Sequence, residues 1–302
     1  MFDKILVPVD SSKLADVVLP YAEELAGNFN SELTLIYVCE PGEQKHRLVH
    51  KFYMGKIAEL VKSQIEENYP RKRNTVIKVK SEVPIGKPET AISDYANSND
   101  IGLILMAGRG RSGIMRRLMG QIADGVLRDT GMPLLLTTTT KPPLELGPMH
   151  LLDKILMPLD GSENAEAALP NVKEFVKKMG TEVVLLRVIT PRQHVHTIGG
   201  LNYVRLTNRE IESEKVNAQR YLERVGKKLS GTRVILRHEV RVGEDIAKEI
   251  IQFASEISAR LIVITPRRAT GIGRWISGSK TQNILQATKV PVLLLRTSER
   301  KS

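Results

Sequence analysis

Directly after the apolar run Ile101–Met106 the chain reads Ala107-Gly108-Arg109-Gly110-Arg111-Ser112-Gly113. Glycines bend a backbone tightly and let a ligand reach its N–H groups. Arginines add fixed charge with fork-shaped donors, and the helix expected next presents an N-terminus that favours anions. The chemistry this points to is a grip on a phosphate; the competing reading is a solvated Gly/Arg turn. The spacing also spells G-x-G-x-x-G. A dinucleotide fingerprint belongs after the first strand of a domain, with an acidic residue about 20 positions on. Here the motif follows the fourth strand, and the next one ends in Thr137-Thr138, so NAD is excluded. A near-match to a phosphate loop, Gly273 to Thr281, carries one extra residue, Ser279, before Lys280-Thr281 and stands a dozen residues past its strand. It is a false match.

Asp10 and Asp160 each close a first strand. A carboxylate there suits an adenine amino group or a ribose hydroxyl, and suits equally the N-cap of the next helix, with Ser11 and Ser12 as competing caps in the first half. Catalytic candidates are few. The histidines are His46, His50, His150, His194, His196 and His238, none beside an evident nucleophile. His194-Val195-His196 reads as a surface loop, since two ligands do not make a metal site. Neither G-x-S-x-G nor H-E-x-x-H occurs, so catalysis and a metal centre are not expected.

The elements that must position these residues come from a duplication. Asp3–Asp10, DKILVPVD, returns as Asp153–Asp160, DKILMPLD, and Leu19-Pro20 as Leu169-Pro170. The domains expected are 1–140 and 152–298, joined by a Pro-rich linker, 141–151. In the first half strands are expected at 5–10, 33–39, 75–82, 102–106 and 133–138, with helices at 14–28, 51–68, 89–97 and 117–128. In the second half strands are expected near 155–160, 182–189, 233–240, 261–265 and 291–296, with helices near 164–178, 209–229, 244–258 and 280–288. Alternating strands and helices imply α/β architecture: two tandem open, doubly wound sheets, each five-stranded and mainly parallel. Ligands in such sheets bind beyond the carboxyl ends of the strands, where strand order reverses. That rule gathers Asp10, Val38 and the loop after Met106.

Composition sets bounds. The chain has 302 residues, 41% hydrophobic and only 4% aromatic, so cores are aliphatic and base stacking on aromatic platforms is disfavoured. No run approaches 18 apolar residues. The chain enters a strand straight after Met1-Phe2-Asp3-Lys4, and Cys39 is its single cysteine. A cytoplasmic protein without disulfides is expected. The net charge of +11 is lopsided: residues 1–145 carry 19 Lys and Arg against 18 Asp and Glu, residues 146–302 carry 26 against 16. A basic half could meet nucleic acid, anionic lipid or an acidic partner. Without a nucleic-acid motif a solvated basic surface is favoured and nucleic acid is not expected as a partner.

The duplicated pattern resembles the universal stress protein (UspA-like) family in its tandem two-domain form. The residues that carry the resemblance are KILVPVD and KILMPLD, Gly86-x-Pro88, ILMAGRG, the LMG and ISGS segments, and the final MPLLL and VPVLLL. The resemblance implies an adenine-nucleotide alpha-hydrolase-like, Rossmann-like fold and binding of ATP or AMP, with or without Mg, by a non-enzymatic stress-response regulator. Slow ATP hydrolysis is the most turnover it allows. The family's nucleotide signature, G-x2-G-x9-G-[S/T], falls in the first half on Ala107, Gly110, Gly120 and Gln121, so Gly110 and Gly120 match while Ala107 and Gln121 depart. In the second half it falls on Thr265, Arg268, Gly278 and Ser279, where only the last two match.

The binding set so implied is Pro8, Val9, Asp10, Val38, Met106, Ala107 and Gly108, then Arg109, Gly110, Gly120, Gln121 and Ile122 around the phosphate. Asp160, Val188, Gly278 and Ser279 are the second half's counterparts. Two-subunit pairing in single-domain relatives implies an internal pair through the last strands, 133–138 facing 291–296, with a homodimer through other surfaces as a further arrangement. The alternative is a nucleotide-free scaffold with degenerate sites, meeting anionic partners through the basic second half.

Overall fold

The structure is a computed structural model and describes residues 2–10, 15–69, 77–108, 121–137, 150–176, 180–197, 200–229, 234–266 and 279–295. In the first half β1 (Lys4–Pro8), α1 (Ala15–Phe29), β2 (Glu32–Ile36), a 3-10 turn (Pro41–His46), α2 (Arg47–Asn68), β3 (Val79–Glu82), α3 (Pro88–Ser98), β4 (Leu103–Ala107), α4 (Gln121–Thr130) and β5 (Leu134–Thr137) follow one another. The second half repeats the order with β6 (Lys154–Pro158), α5 (Glu163–Glu166), α6 (Leu169–Val176), β7 (Glu182–Ile189), β8 (Arg192–Thr197), β9 (Gly200–Arg205), α7 (Asn208–Leu229), β10 (Ile235–Val242), α8 (Ile246–Glu256), β11 (Leu261–Ile264), α9 (Ser279–Ala287) and β12 (Val292–Leu294).

The two five-stranded sheets expected from the repeat are joined edge to edge. The strand order is β10-β7-β6-β11-β12-β5-β4-β1-β2-β3, a single ten-stranded sheet. Within this sheet the strands of each half pair in parallel, and β12 meets β5 antiparallel, Val292 opposite Leu136 and Leu294 opposite Leu134. Both last strands are therefore interior, which removes two exposed edges at once. Their residues are buried throughout, as apolar strands covered on both faces must be. One core layer lies under α1, α2, α6 and α7 and runs through both halves. The other lies under α3, α4, α8 and α9. A ring cluster, Phe2 with Phe29 at 5.6 Å and with Phe175 at 4.9 Å, ties the start of the first half to α6 of the second.

Two expectations are corrected. The single helix near 164–178 is two helices, α5 and α6, broken ahead of Pro170. Proline has no amide donor and is best tolerated in a first turn, where that donor is spare. The segment around His194 and His196, expected as a loop, is a hairpin, β8 with β9, paired from Arg192–Arg205 to Thr197–Gly200. The period-two alternation of its sequence and the following Gly199-Gly200 are the signal for it. Among the described residues no helix is long and apolar enough to cross a membrane, and no group of three or more His, Cys, Asp or Glu stands ready for a metal.

Candidate functional site

In each half strand order reverses between the first and fourth strands, β1 beside β4 and β6 beside β11. The registers set the level of each residue there. Pro8 lies opposite Ile36, and Ile5 and Leu6 lie opposite Leu103 and Ile104. Continuing both registers puts Asp10, Val38 and Gly108 at one level beyond the strand ends. The Val9 amide donates to the Ile36 carbonyl at 2.9 Å, which holds β1 to β2 up to that point. On the other side the Gly108 amide donates to the Thr137 carbonyl at 2.8 Å and keeps the chain after β4 on β5. A Cβ on Gly108 would stand 3.1 Å from that oxygen, so glycine permits the approach. The helix that follows β1, α1, packs on one face of the sheet and the helix that follows β4, α4, on the other, the arrangement that in open α/β sheets makes a crevice at the strand ends.

The residues at this level combine apolar and polar groups. Val9 and Met106 are buried, Pro8, Val38, Ala107 and Gly108 are half-buried, and Asp10 is exposed. Val38 and Met106 belong to the α3/α4 layer, Val9 and Ala107 to the α1/α2 layer. The end of β2 is fixed from its far side: the Cys39 amide donates to Pro84 at 2.9 Å, and the Gly86 amide donates back to Cys39 at 3.1 Å. Tyr37, next to Val38, stacks on His50 at 4.5 Å. Gln121 begins α4 and Ile122 is exposed there. Arg109, Gly110 and Gly120 lie outside the described residues.

The second half builds the same framework and fills it differently. Pro158 lies opposite Leu186, and Leu261 opposite Ile155, so Asp160, Val188 and Pro266 share one level. Proline now stands where the first half has Gly108, without an amide donor. The Asp160 carboxylate accepts from the Ser162 amide at 2.9 Å and from its hydroxyl at 2.5 Å. Ser162 in turn caps α5, accepting from the Ala165 amide at 3.2 Å. The Asn164 side-chain amide donates to the Pro266 carbonyl at 3.3 Å and spans the crevice from α5 to the chain after β11. Ser279 opens α9 and is exposed, and Gly278 lies outside the described residues.

Sequence reasoning passed over three of these groups. Arg187, at the repeat position of Tyr37, donates to the Leu159 carbonyl at 3.2 Å and lies 3.4 Å from the Cβ position of Gly161, whose φ is +83°. Tyr221 on α7 is driven up to about 12 by burial, with the Glu166 charge adding to it. Burial opposes ionisation of Glu166, but hydrogen bonds from Lys228 and Arg224 outweigh it and hold that carboxyl below its usual range. Aligning the two copies residue by residue would have exposed Arg187, because a tyrosine and an arginine do not do the same work at a strand end.

The sequence profile of the universal stress protein family matches residues 1–138 and again 152–296. A universal stress protein of Mycobacterium tuberculosis is 23% identical over 226 residues, 74% of this chain and 70% of its own. One from Methanocaldococcus jannaschii is 26% identical over 152 residues, 47% of this chain and 85% of its own. Among solved structures, a universal stress protein of Archaeoglobus fulgidus superposes with a TM-score of 0.65 at 22% identity, covering 99% of this chain and all of its own. That likeness concerns the fold.

Proposed function

The chain belongs to the universal stress protein family, and from that premise we propose that its first half binds an adenine nucleotide, ATP or AMP, as a non-enzymatic regulator of the stress response in the cytoplasm. The observation that carries the reading is the shared level of Asp10, Val38 and Gly108 at the reversal between β1 and β4. An exposed carboxylate accepts from an adenine amino group or a ribose hydroxyl. The half-buried Val38 offers an apolar face to a base, and Ala107 and Gly108 leave room for close approach. With ATP, Mg would accompany the phosphates, whose grip falls to Arg109–Gly120. The second half is proposed as a scaffold, on the strength of Pro266 at the Gly108 level and of the Asn164 bond across its crevice.

Isothermal titration of the full chain with ATP and with AMP tests this. Saturable heat is expected for at least one of them, reduced at least about tenfold in affinity by Asp10→Ala, a loss of ~1.4 kcal/mol or more. No heat with wild type sinks the nucleotide reading. Unchanged affinity in Asp10→Ala sinks the site.

A further inference from the structure

The outermost helix of the first half, α2, is apolar on two opposite faces. One face, Met54, Ala58, Val61 and Ile65, is buried in the fold. The other carries Leu48, 80% exposed, Phe52, 70% exposed, Val49, Tyr53 and Leu60, all open to solvent. At 3.6 residues per turn Leu48, Phe52, Val49 and Tyr53 form one arc opposite the buried stripe. An amphipathic helix with one partner keeps that outward arc polar, so the packing of the chain leaves the arc unexplained.

The charge around the arc names the occupant. From Gln44 to Ala58 the sequence holds Lys45, Arg47, Lys51 and Lys56 and no Asp or Glu. Arg47 turns inward, donating to the Val83 carbonyl at 3.0 Å; Lys45, Lys51 and Lys56 are exposed. Lys56 lies over the Phe52 ring at 5.9 Å and pairs with Glu59 at 2.8 Å; both side chains of that pair are exposed, and an exposed ion pair contributes so little that its ammonium exchanges readily onto another anion. Past Glu59 the exposed face turns acidic with Glu66 and Glu67, so the basic apolar patch is confined to the first turns. Those turns, about a dozen residues or ~18 Å of helix, fall short of the 20–30 residues a side of a stable protein interface. A two-fold dimer through this arc would set each lysine group against its own copy, a like-charge contact that opposes association. Leu, Val, Phe and Tyr on one helix face, edged by lysines, are the composition of an interfacial helix.

We propose that the first turns of α2 dock on an anionic phospholipid surface, with Leu48, Val49, Phe52 and Tyr53 entering the headgroup boundary and Lys45, Lys51 and Lys56 meeting lipid phosphates. The contact is peripheral and reversible and does not depend on the nucleotide reading. It also differs from electrostatic attachment through the basic second half, because apolar side chains carry part of it.

Co-sedimentation of the full chain with vesicles tests it. Binding is expected to phosphatidylcholine–phosphatidylglycerol vesicles, to be weak with phosphatidylcholine alone, and to fall at high salt. The double variant Leu48→Ser/Phe52→Ser should lose about tenfold or more in partitioning while keeping the wild-type melting temperature, because both side chains are already in water. Val216→Ser, an exposed apolar residue on α7, should change nothing. Equal partitioning of Leu48→Ser/Phe52→Ser and wild type overturns the proposal in favour of the second half's charge. Absence of wild-type binding to either vesicle also overturns it. A concentration-dependent dimer that Phe52→Ser abolishes, without vesicle binding, assigns the arc to a second copy of the chain instead.

Discussion

The Glu24 carboxylate on α1 accepts the backbone N–H of Leu151 at 2.7 Å, although 127 residues separate them. Leu151 stands at the start of the second half, and Glu24 is buried to 2% exposure. The reverse contact also exists: Phe2, at the start of the first half, packs edge-on against Phe175 of α6 at 4.9 Å. The start of each half thus leans on the first long helix of the other, on the same face of the sheet. With β5 and β12 paired at the centre, the halves share core, sheet and capping contacts. Cooperative unfolding of the whole chain follows from that sharing.

Replacing Glu24 with Ala leaves the Leu151 amide buried without its acceptor. That loss costs about 1–3 kcal/mol. Glu24→Gln keeps a carbonyl oxygen in place and should cost less. Urea melts followed by fluorescence and by far-UV dichroism should give coincident single transitions in wild type and in both variants, shifted most in Glu24→Ala. Two separate transitions in wild type would show that the halves unfold independently.

Glu23, one residue earlier and 9% exposed, is raised by burial from 4.5 to about 7. Its protonated form is the one the folded chain prefers. Below about pH 4 it is protonated in both states and burial carries no charge penalty. As pH rises through the window from 4.5 to about 7, the unfolded chain releases the proton first and stability falls, by ~3 kcal/mol at most once both states are ionised. Glu23→Gln should therefore match wild type near pH 4 and exceed it near pH 8. The difference between the two stability curves, measured by denaturant melts across this range, isolates Glu23 from other titrating groups. A flat difference contradicts the assignment.

Gly27 lets α1 lie against the end of α2. A Cβ there would come 2.5 Å from Cγ of Tyr69 and 2.8 Å from its Cβ. Alanine gains up to about 1 kcal/mol of helix propensity but forces a ring into its neighbours, typically ~1–3 kcal/mol. The clash wins, and Gly27→Ala should lower the melting temperature. Adding Tyr69→Ala to Gly27→Ala should cost less than Tyr69→Ala costs the wild type, a coupling that a thermodynamic cycle measures. Additivity would place the strain elsewhere.

How much of this was legible in the sequence depends on range. The repeat and period gave the parallel halves and the reversal point between first and fourth strands, because apolar runs and turn residues are local signals. The family resemblance pointed to last strands facing each other, and β5 with β12 is the pairing found. Long-range contacts were not legible: nothing local marks Glu24 as the acceptor for Leu151. The β8–β9 hairpin was missed because its polar residues resemble a loop by composition, and only its two-residue period marks it as a strand pair. At the site, Asp10 and Val38 followed from strand ends, whereas the Asn164–Pro266 bond depends on two segments about a hundred residues apart.

That bond leads to the most discriminating prediction, a difference between the two halves. Asp160 is engaged by Ser162 at the start of α5, and Asn164 closes the crevice onto Pro266. Asp160→Ala should behave as the loss of the hydrogen bonds that hold the capping Ser162, costing about 1 kcal/mol, while nucleotide affinity and stoichiometry stay at their wild-type values. Asp10→Ala should do the opposite to binding and weaken it. Titration should then saturate at one nucleotide per chain, and at one still in Asp160→Ala. Asn164→Ala removes the bond across the second crevice but leaves Pro266 without an amide to offer a phosphate, so it should not create a second site. Two nucleotides per chain in wild type, or a halved stoichiometry in Asp160→Ala, would mean that the second half binds as well and that the Asn164 bond yields to a ligand.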